Sequence, residues 1–230
     1  MIKKLICILF LIFSCDVFGG ETLKFVTFPQ KYEEYDYNLS AGIGITILPR
    51  DVFEDSFSQL PMLNINGRIG LPFNLSLISK INTIYYSNNI NLGLLWSVEF
   101  HGINFALMNE FGVWFGFMQS EGLDMTSRGW TFFPSVLVGY QIDKVYLTGK
   151  FSLLYQSQRT SAGENQIGRT YNGYTGFSVS LTAEQPLWSS QMVSLEIQLN
   201  YTKFHNPTWL SYSTFDRQLL YPEIILGLNL

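Results

Sequence analysis

The sequence predicts an all-β fold, namely a closed antiparallel transmembrane β-barrel of about ten strands. The first observation is composition: hydrophobic residues make up 47% of the chain and charged residues only 14%, about half the charged share of a soluble domain. The second is that no window past the first fifteen residues approaches the roughly 20 apolar residues of a spanning helix. A transmembrane barrel has this composition because half its residues face lipid and half face a polar interior.

The third observation is that apolar and polar residues alternate with a period of two in ten segments. In the second segment, Leu63, Ile65 and Ile69 share one face, while Asn64 and Arg68 share the other. This pattern is typical of a strand with one face toward lipid. The predicted strands are 39–48, 62–71, 74–84, 90–100, 103–117, 130–142, 145–156, 173–183, 192–202 and 219–230.

The connectors between these segments alternate between long and short. The long ones are 49–61, 118–129, 157–172 and 203–218, the short ones are 72–73, 101–102, 143–144 and 184–191, and 85–89 is an exception. Outer-membrane barrels have short periplasmic turns and longer external loops, so the order fits that class. Two residues disturb the pattern: Pro134 lies inside a predicted strand, where proline weakens the assignment, and Asn109 lies on an outward face.

The end of the chain resembles the C-terminal strand signal of Gram-negative outer-membrane β-barrel proteins. The last predicted strand runs to Gly227-Leu228-Asn229-Leu230, whereas the family pattern usually ends in Phe. The resemblance covers the chain from about Leu39 and identifies no subfamily. It implies an outer-membrane location, contact with outer-membrane lipid and lipopolysaccharide, and recognition by the barrel-insertion machinery, and it leaves the oligomeric state open.

The N-terminal residues 1–20 have the layout of a secretory signal peptide. Lys3 and Lys4 precede an apolar run over residues 5–13, and Val17 and Gly19 suit signal peptidase. An alternative is lipidation at Cys15, because residues 12–15 resemble a degenerate lipobox. Both cysteines lie in this segment, so we expect no disulfide in the mature fold.

The remaining chain divides into an N-terminal periplasmic arm, residues 21–38, and a barrel, residues 39–230. The arm is polar and rich in tyrosine, and a partial plug is an alternative to a free arm. Inside the barrel, we expect a mutually neutralising charge network, because a charge buried in the lumen needs a partner. Its members are Arg68, Lys80, Glu110, Lys150, Glu196 and Glu223. The alternative is a constriction for a small solute or ion.

The last external loop is rich in aromatic residues and is the candidate contact surface. It carries Phe204, Trp209, Tyr212 and Phe215. Exposed aromatic residues favour recognition of a carbohydrate, lipopolysaccharide or another protein. The alternatives are a loop folded over the barrel mouth and residues of the interfacial girdle.

The sequence predicts no catalytic residues, no cofactor and no metal site. Omptin-like proteases use an Asp-x-His arrangement and deacylase barrels place Ser two residues after His, and neither spacing occurs at His101 or His205. A hydrolytic site from His205 and Asp216 across one loop remains an alternative. The net charge of −4 and the absence of a basic stripe argue against a nucleic-acid partner.

These observations favour a non-enzymatic outer-membrane protein with a structural or surface-recognition role. The alternatives are a narrow solute channel of the porin kind and an outer-membrane hydrolase. The structural rival is a secreted soluble β-sandwich or calycin-like barrel, which would place apolar residues inside and polar residues outside.

Overall fold

The structure is a computed structural model that describes residues 24–47, 59–84, 87–120, 123–162, 165–188, 191–203 and 218–229. These residues form ten strands in one closed antiparallel barrel. The strands are β1 (Tyr37–Ile47), β2 (Gln59–Leu71), β3 (Leu75–Ile84), β4 (Ser87–Phe100), β5 (Ile103–Ser120), β6 (Leu123–Ile142), β7 (Val145–Ala162), β8 (Asn165–Trp188), β9 (Gln191–Thr202) and β10 (Leu219–Asn229). Each strand pairs with its chain neighbours, and β1 closes the barrel by pairing with β10.

The predicted fold class is therefore confirmed, and with it the class-level resemblance to outer-membrane barrels. The predicted faces are also confirmed. Leu63, Leu92 and Phe111 are exposed on the outer surface, whereas Asn64 and Asn91 are buried in the interior. A soluble barrel or sandwich would have the opposite arrangement, because water rather than lipid would cover its outer face.

Three predicted connectors are wrong. Residues 118–129 and 157–172 were expected to be long loops, but β5 to β8 continue through them and leave only 121–122 and 163–164 between strands. Likewise, β8 includes residues 184–188, which were predicted to belong to a turn. The apolar–polar alternation ends where a strand leaves the lipid, while the main-chain ladder continues into water with polar residues on both faces.

The turns at 72–74, 101–102 and 143–144, the start of β1 and the end of β10 lie at one end of the barrel, which we call the turn end. There His101 and Gly102 both have positive φ angles, 51° and 78°, as a two-residue type I′ hairpin requires. The opposite end, where residues 48–58, 121–122 and 204–217 connect the strands, is the loop end. In outer-membrane barrels generally, the short turns are periplasmic and the longer loops are external.

The two residues that disturbed the sequence pattern are direct cross-strand partners. Asn109 of β5 lies opposite Pro134 of β6, and the pairing of β6 with β7 skips from Phe132 to Ser135. Pro134 has no N–H to donate to the ladder, which accounts for the gap. The register is the same on both sides of the gap, so the strand is interrupted without being displaced.

Several predicted features lie outside the described residues. They are the signal peptide at 1–20 with Cys15, and the loop that carries Phe204, His205, Trp209, Tyr212, Phe215 and Asp216. Within the part of the chain that the structure describes, no helix has the length and apolar character to cross a bilayer.

Candidate functional site in the barrel lumen

Residues 24–36, which we call the plug, fold into the turn end of the barrel lumen. Phe25, Phe28 and Tyr32 are each at most 4% exposed, and their neighbours are the inward side chains of β2, β7, β8 and β9. A free periplasmic arm and a partial plug were the two predictions for residues 21–38. The described residues 24–36 of this segment lie inside the lumen.

Glu184 of β8 binds the plug through its main chain. The two carboxylate oxygens accept hydrogen bonds from three consecutive backbone N–H groups, those of Val26 at 3.1 Å, Thr27 at 3.3 Å and Phe28 at 2.7 Å. Glu184 is fully buried. A buried carboxylate is costly without partners, and hydrogen bonds to an ionised group are about twice as strong as neutral ones. This side chain therefore couples the plug to the barrel wall.

Arg68 of β2 binds the next stretch of plug main chain. Its two terminal guanidinium nitrogens donate to the carbonyl oxygens of Phe28 and Gln30, each at 2.6 Å. The guanidinium carbon lies 4.2 Å from the centre of the Tyr32 ring, within range of a cation–π interaction. Glu184 thus binds N–H groups and Arg68 binds carbonyl groups of the same plug main chain. Neither contact depends on a polar side chain of the plug.

Aromatic packing fills the space beside these polar contacts. The Phe25 ring lies 4.1 Å from the ring of Tyr146 of β7 and 5.4 Å from that of Phe28, centre to centre. Met192 of β9 is fully buried against the same group. Burial of a Phe side chain contributes about 2 kcal/mol, so the apolar contacts add to the hydrogen bonds in holding the plug.

Two inward glycines give the plug main chain room to approach the wall. A Cβ atom on Gly70 of β2 would lie 2.0 Å from the carbonyl oxygen of Glu33, and one on Gly139 of β6 would lie 2.6 Å from Cδ of Pro29. The plug also extends the β2 ladder, because Gly70 donates to the carbonyl of Asp36 and accepts from the N–H of Tyr35, both at 2.8 Å.

The ends of the plug are closed on each other. Lys24 forms an ion pair with Asp36, and its carbonyl accepts hydrogen bonds from the side-chain amides of Asn38 at 2.8 Å and Asn229 at 3.2 Å. The Tyr32 hydroxyl donates to the carbonyl of Phe25. Burial raises the pKa of the Tyr32 phenol well above its usual range, so the hydroxyl keeps its proton at every physiological pH.

Beyond the plug, five charged residues cross the lumen as a layer that we call the charge belt: Lys80, Glu110, Lys150, Glu196 and Glu223. Within it, Lys150 Nζ lies 2.8 Å from Glu110 Oε2, and Lys80 interacts electrostatically with Glu196, Glu110 and Glu223. Wall residues complete the contacts of Glu223, which accepts from Thr46 at 3.0 Å and from Gln198 at 3.3 Å.

The charge belt separates two small cavities. One, of about 50 Å³, lies on the plug side and is bordered by Val26 and Thr27. The other, of about 70 Å³, lies toward the loop end and is bordered by Asn89 and Tyr221. Lys80, Glu110 and Lys150 line both. Cavities of this size hold a few water molecules and exclude a sugar or an amino acid.

Five of the six predicted network residues are brought together, and Arg68 is not among them. It lies in the plug layer, where Glu184 is its charged neighbour. Glu184, the first residue of the predicted connector 184–191, had no predicted role, because its partners are main-chain groups about 156 residues away along the chain. The signal was its place on the inward face of β8, after Ser178, Ser180 and Thr182.

Among the residues that the structure describes, no group of three His, Cys, Asp or Glu residues is arranged to hold a metal ion. His101 is exposed in a turn-end hairpin. The predicted contact loop, with Phe204, Trp209, Tyr212 and Phe215, and the hydrolase alternative at His205 and Asp216 fall on residues outside this set.

No protein-family model matches the chain, and no curated protein matches its sequence. Among solved structures, CdiB from Acinetobacter baumannii is 12% identical with a TM-score of 0.36, over 75% of this chain and 32% of that one. The translocator domain of autotransporter NalP from Neisseria meningitidis is 10% identical with a TM-score of 0.44, over 84% and 86%. The chain thus spans about a third of the CdiB chain. Likeness at this level carries no information about function.

Proposed function

We propose that this chain is a non-enzymatic, non-conducting outer-membrane β-barrel with a structural or surface-recognition role. The observation that carries the proposal is the double closure of the lumen, first by the plug on Glu184 and Arg68 and then by the charge belt. A barrel closed in this way presents an outer surface and loops to its surroundings and offers no open path for a solute.

The outer-membrane location is supported by the distribution of polarity. Large apolar side chains such as Ile43, Leu63 and Leu94 are at least half exposed on the outer face, which is costly in water and favourable in lipid. The interior is polar, as expected of a barrel that crosses a membrane with its apolar face outward. Outer-membrane lipid, lipopolysaccharide and the insertion machinery are the partners that this location implies.

A narrow solute channel is the second candidate, and one observation favours it. The charge belt lines a cavity on each side, so the lumen is continuous except for the belt and the plug. A channel would therefore require movement of the plug and rearrangement of the Lys150–Glu110 pair.

Single-channel recording in planar bilayers separates the two candidates. The wild-type barrel, refolded in detergent and inserted, is expected to give no steady current, because the plug and the charge belt occupy the lumen. A reproducible ohmic step from the wild-type protein would contradict the closed barrel and support the channel. Correct insertion is checked first by heat-modifiable migration on a gel, and recovery of the chain in the soluble periplasm would overturn the membrane location itself.

A further inference from the structure

Two arginines occupy directly opposite register positions on adjacent strands of the loop-end extension. Arg128 of β6 pairs with Arg159 of β7. Direct partners in an antiparallel sheet share a face, with Cα atoms about 5 Å apart. We call Arg128 and Arg159 the arginine row. Arg128 and Arg159 are exposed on the outer face of the barrel.

Like charges placed directly opposite each other destabilise a sheet. Arg128 has Phe115 as its partner on β5, and on β7 its diagonal neighbours are Ser157 and Ser161. No acidic residue holds an opposite or diagonal register position next to Arg128 or Arg159 on the described strands. Cross-strand partners on the described strands therefore do not balance the charge of the row, which favours an anionic ligand at this position.

The position of the arginine row along the barrel axis indicates which class of partner it contacts. On β6 the outward positions from Tyr140 to Trp130 are apolar or aromatic, and Arg128 is the next outward residue toward the loop end. Ten residues of strand rise about 33 Å, which is about 25 Å along the axis at a tilt near 40° and equals the apolar band of an outer-membrane barrel. Arg128 thus lies just beyond the hydrocarbon, at the level of the lipid headgroups.

An aromatic layer directly below the row marks the same boundary. Trp130 stacks on Phe111 with ring centres 5.8 Å apart, and Tyr155 lies 6.4 Å from Phe132 and 5.8 Å from Tyr174. Tyr and Trp concentrate at membrane interfaces, where an apolar ring body meets lipid and a polar group meets water. The row follows this layer immediately on β6 and within four residues on β7.

We propose that the arginine row binds the phosphate groups of a phosphorylated glycolipid of the outer leaflet, of the lipid A type. A guanidinium donates two parallel hydrogen bonds to a phosphate, which makes arginine the side chain suited to this ligand. The ligand's negative charge would also offset the repulsion within the row. The inference rests on the proposed outer-membrane location and adds to it a site and a ligand class.

The test compares binding of bis-phosphorylated lipid A with binding of its dephosphorylated form to the refolded full chain in neutral detergent, by native mass spectrometry. The double variant R128Q/R159Q is expected to bind the phosphorylated form about tenfold or more weakly. The variant R128K/R159K should lie between, since lysine keeps the charge but not the paired hydrogen bonds. K144Q, which removes an exposed cation at the turn end, should leave binding unchanged.

Three outcomes would overturn the inference: equal binding by the wild type and the double Gln variant, equal binding of the dephosphorylated lipid by the wild type, and displacement of the lipid by inorganic phosphate at a similar concentration. The last would assign the row to free phosphate instead. Heat-modifiable migration of every variant is checked beforehand. A wild-type chain without heat-modifiable migration would contradict the proposed membrane barrel. A barrel that migrates normally but whose Gln variant binds lipid A as the wild type does would contradict only the glycolipid site.

Discussion

The Glu184 carboxylate accepts a hydrogen bond from the Phe28 amide at a donor–acceptor distance of 2.7 Å. Glu184 is fully buried in the lumen. The same carboxylate also accepts from Val26 and Thr27. A charged acceptor that serves three donors of one peptide makes the plug an integral part of the folded barrel. Loss of the charge should therefore release the plug while the strands remain paired.

The first prediction is that Glu184→Gln loosens the plug. The amide has one acceptor oxygen in place of two, and its NH₂ group faces backbone donors, so hydrogen bonds worth about 1.5–3 kcal/mol each are lost or weakened. Val26→Cys provides a reporter, because Val26 is 6% exposed and both native cysteines precede residue 21. In a chain beginning at Glu21, we expect a bulky maleimide to label the thiol at least about tenfold faster in the Gln variant.

The matched control is Glu99→Gln, the same substitution at an exposed position at the end of β4. It should leave the labelling rate at the wild-type value. Equal labelling of the Glu184 and Glu99 variants would show that the carboxylate does not hold the plug.

A second prediction concerns Arg68. Arg68→Met removes the bonds to the carbonyls of Phe28 and Gln30 and the stacking on Tyr32, so amide hydrogen exchange across residues 24–36 should accelerate about tenfold or more. Arg68→Lys keeps the charge but cannot reach two carbonyls with a planar fork, and it should give an intermediate rate. Exchange in the peptides of β5 and β6 serves as the internal control. Uniform acceleration there would instead indicate general destabilisation.

The outward and inward faces of the strands are predictable from the sequence because they follow from a local pattern. Alternation over about ten residues fixes which side chains face lipid, and the predicted faces of residues such as Leu92 and Asn91 are confirmed. The signal ends where the lipid ends. The extensions of β6 and β7 beyond the membrane carry residues such as Ser127, Gln158 and Arg159, whose polarity is typical of loops although the main chain remains paired.

The site was less predictable because its contacts are non-local and use the main chain. No sequence feature of residues 24–36 predicts their contact with Glu184, because the carboxylate binds backbone N–H groups that every residue except proline possesses. The role of Gly70 and Gly139 was likewise not predictable, because it depends on the plug main chain lying against them. The presence of charged side chains inside the barrel was predictable. Their separation into two layers, one at the plug with Arg68 and one in the charge belt with Lys150, was not.

A third prediction is that the belt pair is coupled. Glu110→Gln leaves Lys150 without its 2.8 Å partner, and Lys150→Met leaves Glu110 with Lys80 as its remaining cation. We expect each single substitution to lower the free energy of unfolding by about 2 kcal/mol, less than the 3–5 kcal/mol of a fully buried pair because Lys150 is partly exposed. The double variant should recover most of the loss, since no unpaired charge remains from this pair.

Urea titration of the folded species, followed by heat-modifiable migration, measures the three free energies. Additive losses in the double variant would show that the two residues act independently and that the ion pair does not stabilise the belt. Glu99→Gln, at an exposed position on β4, should change the free energy of unfolding by less than about 0.5 kcal/mol.

A fourth prediction follows from the raised pKa of Tyr32. Burial is the main cause, and Glu184 and Asp36 act in the same direction, while the nearby Arg68 guanidinium opposes them. The folded state therefore holds the phenolic proton more firmly than the unfolded state does. The stabilisation is present in full below about pH 10, the unperturbed tyrosine value, and is lost as the pH rises above it.

Ultraviolet absorbance of tyrosinate tests this with Tyr32→Phe, which keeps the ring but lacks the hydroxyl. At about pH 11 the folded wild type and the folded variant should absorb equally, because Tyr32 is still neutral, whereas in denaturant the wild type should absorb more by one ionised tyrosine. A lower tyrosinate absorbance of the folded Tyr32→Phe variant than of the folded wild type at that pH would mean that Tyr32 ionises in contact with water and that the plug does not bury it.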